Sequence, residues 1–417
     1  MSGYKITLPA SFTGATTPGS VFYVNASGYV DQVPPTVTGT VLISDGVGTN
    51  PRFGTDDRFW ISRAASMFIS PIQNTYSYVA SGGAVGGAKW LGCVHTTNGK
   101  IVFIPNSASS VLVVETISGT SGGTIDTVSS IALGGAGNYA AGVLGETGKA
   151  YGIPFNTTNV LVIDSVFLTA VPTSFSVPTP VAAGNYWLGG VYVGGGRIIC
   201  SPYDAESILS LDTNTSTSAV YGSLTTSAGK WSGCVLAPNG KVYFIPFNST
   251  VVMIFTPATN TVDTTTITGI AGASKYMGGV LGPDNKIYCV PYNATNVMII
   301  DTATDTVDIA TISGLSASTA KWAGGILTPN NDIICMPHSV TSTLVIRVTG
   351  ATATTSTFPA ATFTGGGTQE WWGGVIAANG RIYMTPYNST NVAAIEPEKT
   401  STTIELIGCM SSFRNKY

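Results

Sequence analysis

From residue 89 onward the chain alternates short apolar runs with punctuation by Gly, Asn, Thr and Ser, and the stretch KYMGGVLGPDNKIYCVPYNATNVMIID at 275–301 is typical. The runs are four to six residues long, rich in Val, Ile and Tyr, and bounded by turn formers, which predicts strands rather than helices. An aromatic residue opens each unit, at Trp90, Tyr139, Trp187, Trp231, Tyr276, Trp322 and Trp371. A proline follows fifteen residues later every time, at Pro105, Pro154, Pro202, Pro246, Pro291, Pro337 and Pro386. Successive aromatics lie 44 to 49 residues apart, the period of a four-stranded propeller blade. The expectation is an all-β fold: a seven-bladed β-propeller of four-stranded antiparallel blades over 89–417, a connector over 61–88 and a small β module over 1–60.

Within a unit, two small residues such as Gly278-Gly279 follow the aromatic, as an innermost strand crowded at a propeller axis requires. Nine residues after the aromatic stand Gly99, Gly148, Gly196, Gly240, Asn285, Asn331 and Gly380, mostly preceded by Asn or Asp, which predicts a two-residue hairpin needing positive φ. The PDN turn, the IYCV strand and the NVMIID strand resemble YVTN-type propeller repeats, and the resemblance covers nearly all of 89–410. A partial repeat at 66–79, SMFISPIQNTYSYV, is expected to cover an edge or to latch the first blade to the last. A strand at Thr402–Ile407 competes for the same role, so ring closure is left open.

Residues 1–60 read as short strands in KITLPASF, SVFYVN, GYVDQV and TVLIS, separated by Gly and Pro. The segment 18–54, PGSVFYVNASGYVDQVPPTVTGTVLISDGVGTNPRFG, resembles a stretch common in bacteriophage tail-fibre and other virion-fibre proteins. That resemblance implies attachment to other virion structural proteins through residues 1–60, with many copies or a homo-oligomer on one particle.

Composition narrows the function classes. Only 9% of residues are charged and the net charge is −3, which argues against a nucleic-acid binder working through a basic surface. Mean hydropathy is +0.29, yet no run approaches the ~18 unbroken apolar residues of a membrane helix, so no membrane insertion is expected. The start MSGYKITLPAS has neither a basic nor an apolar leader region, and no signal peptide is read there. Cys93, Cys200, Cys234, Cys289 and Cys335 fall on small apolar strand positions without CxxC or His pairing, which predicts buried thiols and no metal. No cofactor is expected, because no glycine-rich phosphate loop appears.

Two charge series repeat with the blades. Ten residues after the aromatic stand Lys100, Lys149, Arg197, Lys241, Lys286, Asp332 and Arg381, which alone would suggest a polyanion site. Fifteen further on stand Glu115, Asp164, Asp212, Thr256, Asp301, Arg347 and Glu396, and the sixth unit reverses both signs at once. That reversal predicts cross-strand pairs within each blade.

On the opposite face the loops before the aromatic and after the proline should converge. They carry Lys89, Lys230, Lys275, Lys321 and Glu370; the aromatics Phe155, Tyr203, Phe247, Tyr292 and Tyr387, with His338 in the sixth unit; and Asp204, Asn248, Asn293 and Asn388. Rings beside amides suit a sugar, whose C–H patches stack while amides read its hydroxyls, although the same pattern serves interblade packing and turn capping. The expected function is a non-enzymatic virion surface protein, a fibre or capsid appendage, presenting the propeller to a host or environmental glycan. The alternatives are a ligand-free decoration or docking protein, a polysaccharide-degrading enzyme using His338 with a carboxylate, and a cell-surface adhesin.

Overall fold

The computed structural model describes residues 87–397 except 119–123, 174, 176, 179–183, 351 and 360–368, together with five strand segments between 21 and 81. The chain divides into two compact units, 74–398 and 1–73 with 399–417. The latter contains two antiparallel ribbons, Val21–Val24 with Val30–Val33 and Val41–Ile43 with Arg52–Gly54. The strand expected in KITLPASF and that at Thr402–Ile407 lie outside the described residues, as does Cys409.

Residues 74–398 form seven four-stranded antiparallel sheets, and there is no helix among the described residues. Blade 5 is representative: Tyr276–Leu281 innermost, then Lys286–Pro291, Val297–Asp301 and Thr306–Ile312 outermost. Blade 7 differs. Trp371–Ile376, Ile382–Pro386 and Asn391–Glu396 are completed by Thr75–Ser81, which pairs antiparallel from Asn391↔Ser81 to Glu396↔Thr75. The connector therefore supplies the outer strand of the last blade.

All seven innermost strands jump register between the aromatic and the third residue after it. At the middle of each jump φ is positive: 99° at Gly92, 59° at Ala141, 88° at Gly189, 123° at Gly233, 79° at Gly278, 72° at Gly324 and 70° at Gly373. Glycine is used there for two reasons. The bulge needs left-handed backbone, and a Cβ on Gly324 would lie 2.8 Å from the Gly373 Cα of the next blade.

The hairpin after the innermost strand departs from the expectation. Gly99 N donates to Thr96 O at 3.0 Å and Thr96 N to Lys100 O at 2.8 Å, so the loop is a three-residue turn with a single left-handed residue. Blades 2 and 4 to 7 repeat this pair of bonds, with Asn285 and Asn331 at φ 62° and 67°. Only blade 3, where Gly194 pairs with Arg197 around Gly195-Gly196, has the two-residue turn.

The aromatics are buried between blades. Trp187 packs with Val143, Tyr151 and Ile153 of blade 2 and with Ile198, Cys200 and Leu209 of its own blade. Its indole N–H donates to the Ser207 carbonyl at 2.9 Å, and Trp90, Trp231 and Trp322 donate likewise to Ser110, Val251 and Ser342. The five described cysteines are free thiols.

The cross-strand charge pairs form at Lys100–Glu115 (2.6 Å), Lys149–Asp164 (4.0 Å), Lys286–Asp301 (3.4 Å), Arg381–Glu396 (3.4 Å) and, with signs reversed, Arg347–Asp332 (2.9 Å). Two positions deviate. Lys241, opposite the uncharged Thr256, reaches Asp305 of blade 5 at 2.5 Å. Arg197 lies in register with Asp212 but donates to Ser210 Oγ, the Pro257 carbonyl and Asn260 Oδ1.

Candidate ligand-binding face

The loops before the aromatic and after the proline meet on one face, where their peptide groups form a closed circuit. Asn106 N donates to Lys89 O, Asn138 N to Asn106 O, Phe155 N to Asn138 O, Tyr186 N to Phe155 O and Tyr203 N to Tyr186 O. The series continues through Lys230, Phe247, Lys275, Tyr292, Lys321, His338, Glu370 and Tyr387, and Lys89 N closes it on Tyr387 O at 2.9 Å. Each blade contributes two links, and none exceeds 3.0 Å. The positions read from the sequence as a ligand face are thus the positions that join blade to blade.

Their side chains follow from this placement. Lys89, Lys230, Lys275 and Lys321 are all buried, and their ammonium groups are committed to backbone carbonyls rather than presented to a ligand. Lys321 Nζ donates to Tyr292 O, Ala294 O and Ser318 O at 3.0–3.2 Å; Lys275 Nζ donates to Ser249 O and Gly272 O at 2.8 Å. Burial lowers the pKa of both to about 8. Burial also lowers that of Lys89, against the opposing pull of Glu370.

The amides and Asp204 act as clasps. Asn248 Oδ1 accepts from Ser274 N at 2.8 Å, Asn293 Oδ1 from Ala320 N at 2.7 Å and Asn388 Oδ1 from Ala88 N at 2.8 Å, each in the loop leading into the next blade. Asp204 takes the same role toward Gly229 N at 2.7 Å. The clasped residues Ala88, Gly229, Ser274 and Ala320 all have positive φ, a conformation the accepted hydrogen bond helps to hold.

The rings form an arc around the axis. Centroid separations are 6.2 Å for Phe155–Tyr203, 5.8 Å for Tyr203–Phe247, 5.7 Å for Phe247–Tyr292, 5.5 Å for Tyr292–His338 and 5.8 Å for His338–Tyr387. Asn106 replaces the ring in blade 1. Beneath the arc lie Leu91, Ala140, Leu188, Met277 and Ala323, while Trp372, in the equivalent position of blade 7, packs on Tyr387 at 5.3 Å. Phe247 and His338 are buried; Phe155, Tyr203, Tyr292, Trp372 and Tyr387 are half-buried and offer aromatic surface. Burial, then Asp204 and the neighbouring phenols Tyr292 and Tyr387, push the Tyr203 hydroxyl up to about 12, so these phenols are neutral donors at physiological pH.

A cleft of about 480 Å³ opens on blade 4, between the loop leading into Trp231 and the loop after Pro246. Ser223, Thr225, Ser227, Thr250 and Thr264 line it together with Asn248, Lys230 and the apolar Leu224, Trp231 and Val251.

No protein-family model matches the chain, and no curated protein does. Solved structures share the propeller architecture. A streptogramin B lyase superposes with a TM-score of 0.61 at 12% identity, covering 78% of this chain and 98% of that one. The virginiamycin B lyase of Staphylococcus aureus, solved with quinupristin, gives 0.61 at 12% identity over 78% and 99%. The hydrazine synthase of Kuenenia stuttgartiensis gives 0.56 at 13% identity over 78% and 100%. These likenesses are of architecture, since propellers carry unrelated chemistries on one frame.

Among the residues singled out from sequence, Lys230 and Asn248 line the cleft, whereas Tyr203, Phe247, Tyr292, His338 and Tyr387 belong to the axial arc. The cleft's serines and threonines carried no sequence signal, because such residues fill every loop of this chain. Trp372 did carry one: it stands in a series otherwise made of Leu91, Ala140, Leu188, Ser232, Met277 and Ala323.

Proposed function

We propose that this chain is a virion surface protein, joined to other virion proteins through residues 1–60, whose propeller binds an uncharged glycan without cleaving it. The observation that carries the glycan reading is the blade 4 cleft, lined by serines, threonines and Asn248 beside the apolar Leu224 and Val251, with Trp231 buried at its floor. A pyranose presents that mixture in reverse, and the volume falls within the usual range for small-molecule sites. The virion reading rests on the likeness of residues 18–54 to fibre segments.

A glycan array with the full chain tests the first part. Thr225→Val with Thr250→Val, both at exposed positions, is expected to abolish the signal while leaving the thermal midpoint unchanged. Retained binding would remove the cleft from consideration, and release of reducing ends from a bound polysaccharide would replace binding by hydrolysis. Removal of residues 1–60 is expected to abolish incorporation into particles, and a truncated chain that still assembles would refute the attachment role.

One observation favours a docking platform as a second reading. The turn between the third and outer strands of blade 2 presents Val166, Phe167 and Leu168 at 65%, 76% and 43% exposure, where blade 3 has Asn214, Thr215 and Ser216. Crosslinking from Phe167 within particles would identify such a neighbour.

A further inference from the structure

At the hub of the face one buried group has its hydrogen-bonding capacity only half used. His338 is 1% exposed, and its Nδ1 lies 2.9 Å from the Trp371 carbonyl, an acceptor, so Nδ1 carries the proton. In the neutral ring Nε2 is then an acceptor alone, and no described residue donates to it. Burial holds the imidazole below its usual pKa, against the smaller pull of the Trp371 carbonyl, so protonation does not relieve the mismatch. Buried acceptors in native proteins are overwhelmingly satisfied, so an unpartnered one has room for a donor from outside the protein, a water or a ligand hydroxyl.

The surroundings describe that donor. Tyr292, Trp372 and Tyr387 stand 5.5, 5.1 and 5.8 Å from the imidazole centroid, and all three are half-buried. His338 and Trp372 both depart from the repeat, in adjacent blades, and they meet edge to face. The nearby charged side chains are already hydrogen-bonded within the face: Lys321 donates to three carbonyls, Asp204 accepts two backbone N–H groups, and Lys89 lies beside Glu370. An anionic ligand would have to draw these groups out of their internal hydrogen bonds, and a cationic one would be desolvated beside buried lysines.

We propose that His338, its imidazole flanked by Tyr292, Trp372 and Tyr387, forms an axial subsite, separate from the blade 4 cleft, in which Nε2 accepts a hydrogen bond from a hydroxyl of an uncharged saccharide ring once the half-buried rings that cover it turn aside. The rings cover its C–H faces while Nε2 fixes one hydroxyl. The ligand class rests on the glycan reading above; the subsite itself rests on the unsatisfied nitrogen and the aromatic walls.

The chain has two histidines, His95 and His338, so the imidazole nitrogens are resolvable by long-range ¹H–¹⁵N spectra of the full chain. Titration with methyl β-galactoside and methyl α-mannoside, with methyl glucuronide as the charged control, is expected to move His338 Nε2 for a neutral glycoside only. His338→Phe installs the residue used in blades 2 and 4, Phe155 and Phe247, and is expected to weaken binding by about tenfold or more without loss of fold. Movement at Trp231 with His338 unmoved would overturn the subsite and leave the cleft standing. An Nε2 resonance already hydrogen-bonded without glycoside and unchanged by it would assign the position to an internal water. No response anywhere to either neutral glycoside would overturn both readings.

Discussion

At the residue scale, the bulge in each innermost strand sets the sharpest constraint. Ala141 is the one non-glycine among the seven bulge residues, at φ 59°, where a Cβ costs about 1–2 kcal/mol. Ala141→Gly removes that cost but raises the entropy of the unfolded chain, so a net gain of about 0.5–1 kcal/mol in a denaturant titration is expected. Gly92→Ala is the counterpart: its Cβ would lie 2.7 Å from the Ala141 Cα at a φ of 99°, and a loss of roughly 2 kcal/mol or more is expected. The sequence revealed the small residues but not the left-handed backbone behind them, because two adjacent glycines do not say which one carries the bulge. The lysines were similarly half legible. Their repetition was plain, but sequence alone does not separate an ammonium offered to a ligand from one spent on carbonyls. Lys275 and Lys321 ionise near 8 in the folded chain and near 10.5 unfolded, so between those values these two sites bind more protons in the unfolded chain and contribute a rise of stability with pH, against the five described thiols, whose raised pKa makes the unfolded chain release their protons first near pH 9 and contributes a fall. The lysine contribution is on the order of 1 kcal/mol per residue between pH 8 and 9.5. Lys321→Met should therefore gain less stability, or lose more, than the parent chain over that range by about that amount; an identical pH dependence would show that the buried amine stays charged.

At the scale of elements, the paired strands explain why so much of each blade was readable. Positions ten and twenty-five after the aromatic are direct register partners, Lys286↔Asp301 and Asp332↔Arg347, so a simultaneous sign change in one blade identified the pairing without coordinates. Lys241 resisted that logic, since its partner Asp305 lies across a blade boundary that the sequence does not index. The Asp332–Arg347 pair is two-pronged, with Nε and one Nη each 2.9 Å from a carboxylate oxygen, but half of Arg347 faces solvent. A double-mutant cycle with Asp332→Asn and Arg347→Gln is expected to give a coupling of about 1 kcal/mol, above a typical exposed pair because Asp332 is itself buried. A coupling near zero would reduce the pair to a register marker.

At the scale of the whole molecule, two devices close the ring, and they contribute differently. Thr75–Ser81 supplies six register pairs to the outer edge of blade 7, far from the axis, whereas the peptide circuit joins blade 7 to blade 1 through Lys89 N and Tyr387 O at the hub. The innermost strands of blades 7 and 1 also pack against each other, as every other neighbouring pair does. Sequence showed the outer strand as a broken repeat and could not show the circuit, whose members are backbone groups of otherwise dissimilar residues. Deleting residues 1–73 should therefore leave the propeller's unfolding transition intact. Deleting residues 1–81 exposes the edge of Asn391–Glu396, and the amides there that pair with Thr75–Ser81 should then exchange with solvent rapidly. The decisive probe is the Lys89 amide. If the circuit and the axial packing hold the ring, that amide stays protected in the shorter chain, and the loss is confined to blade 7. If the outer strand is the true latch, Lys89 exchanges together with Asn391–Glu396, blades 1 and 7 part, and unfolding loses its single transition.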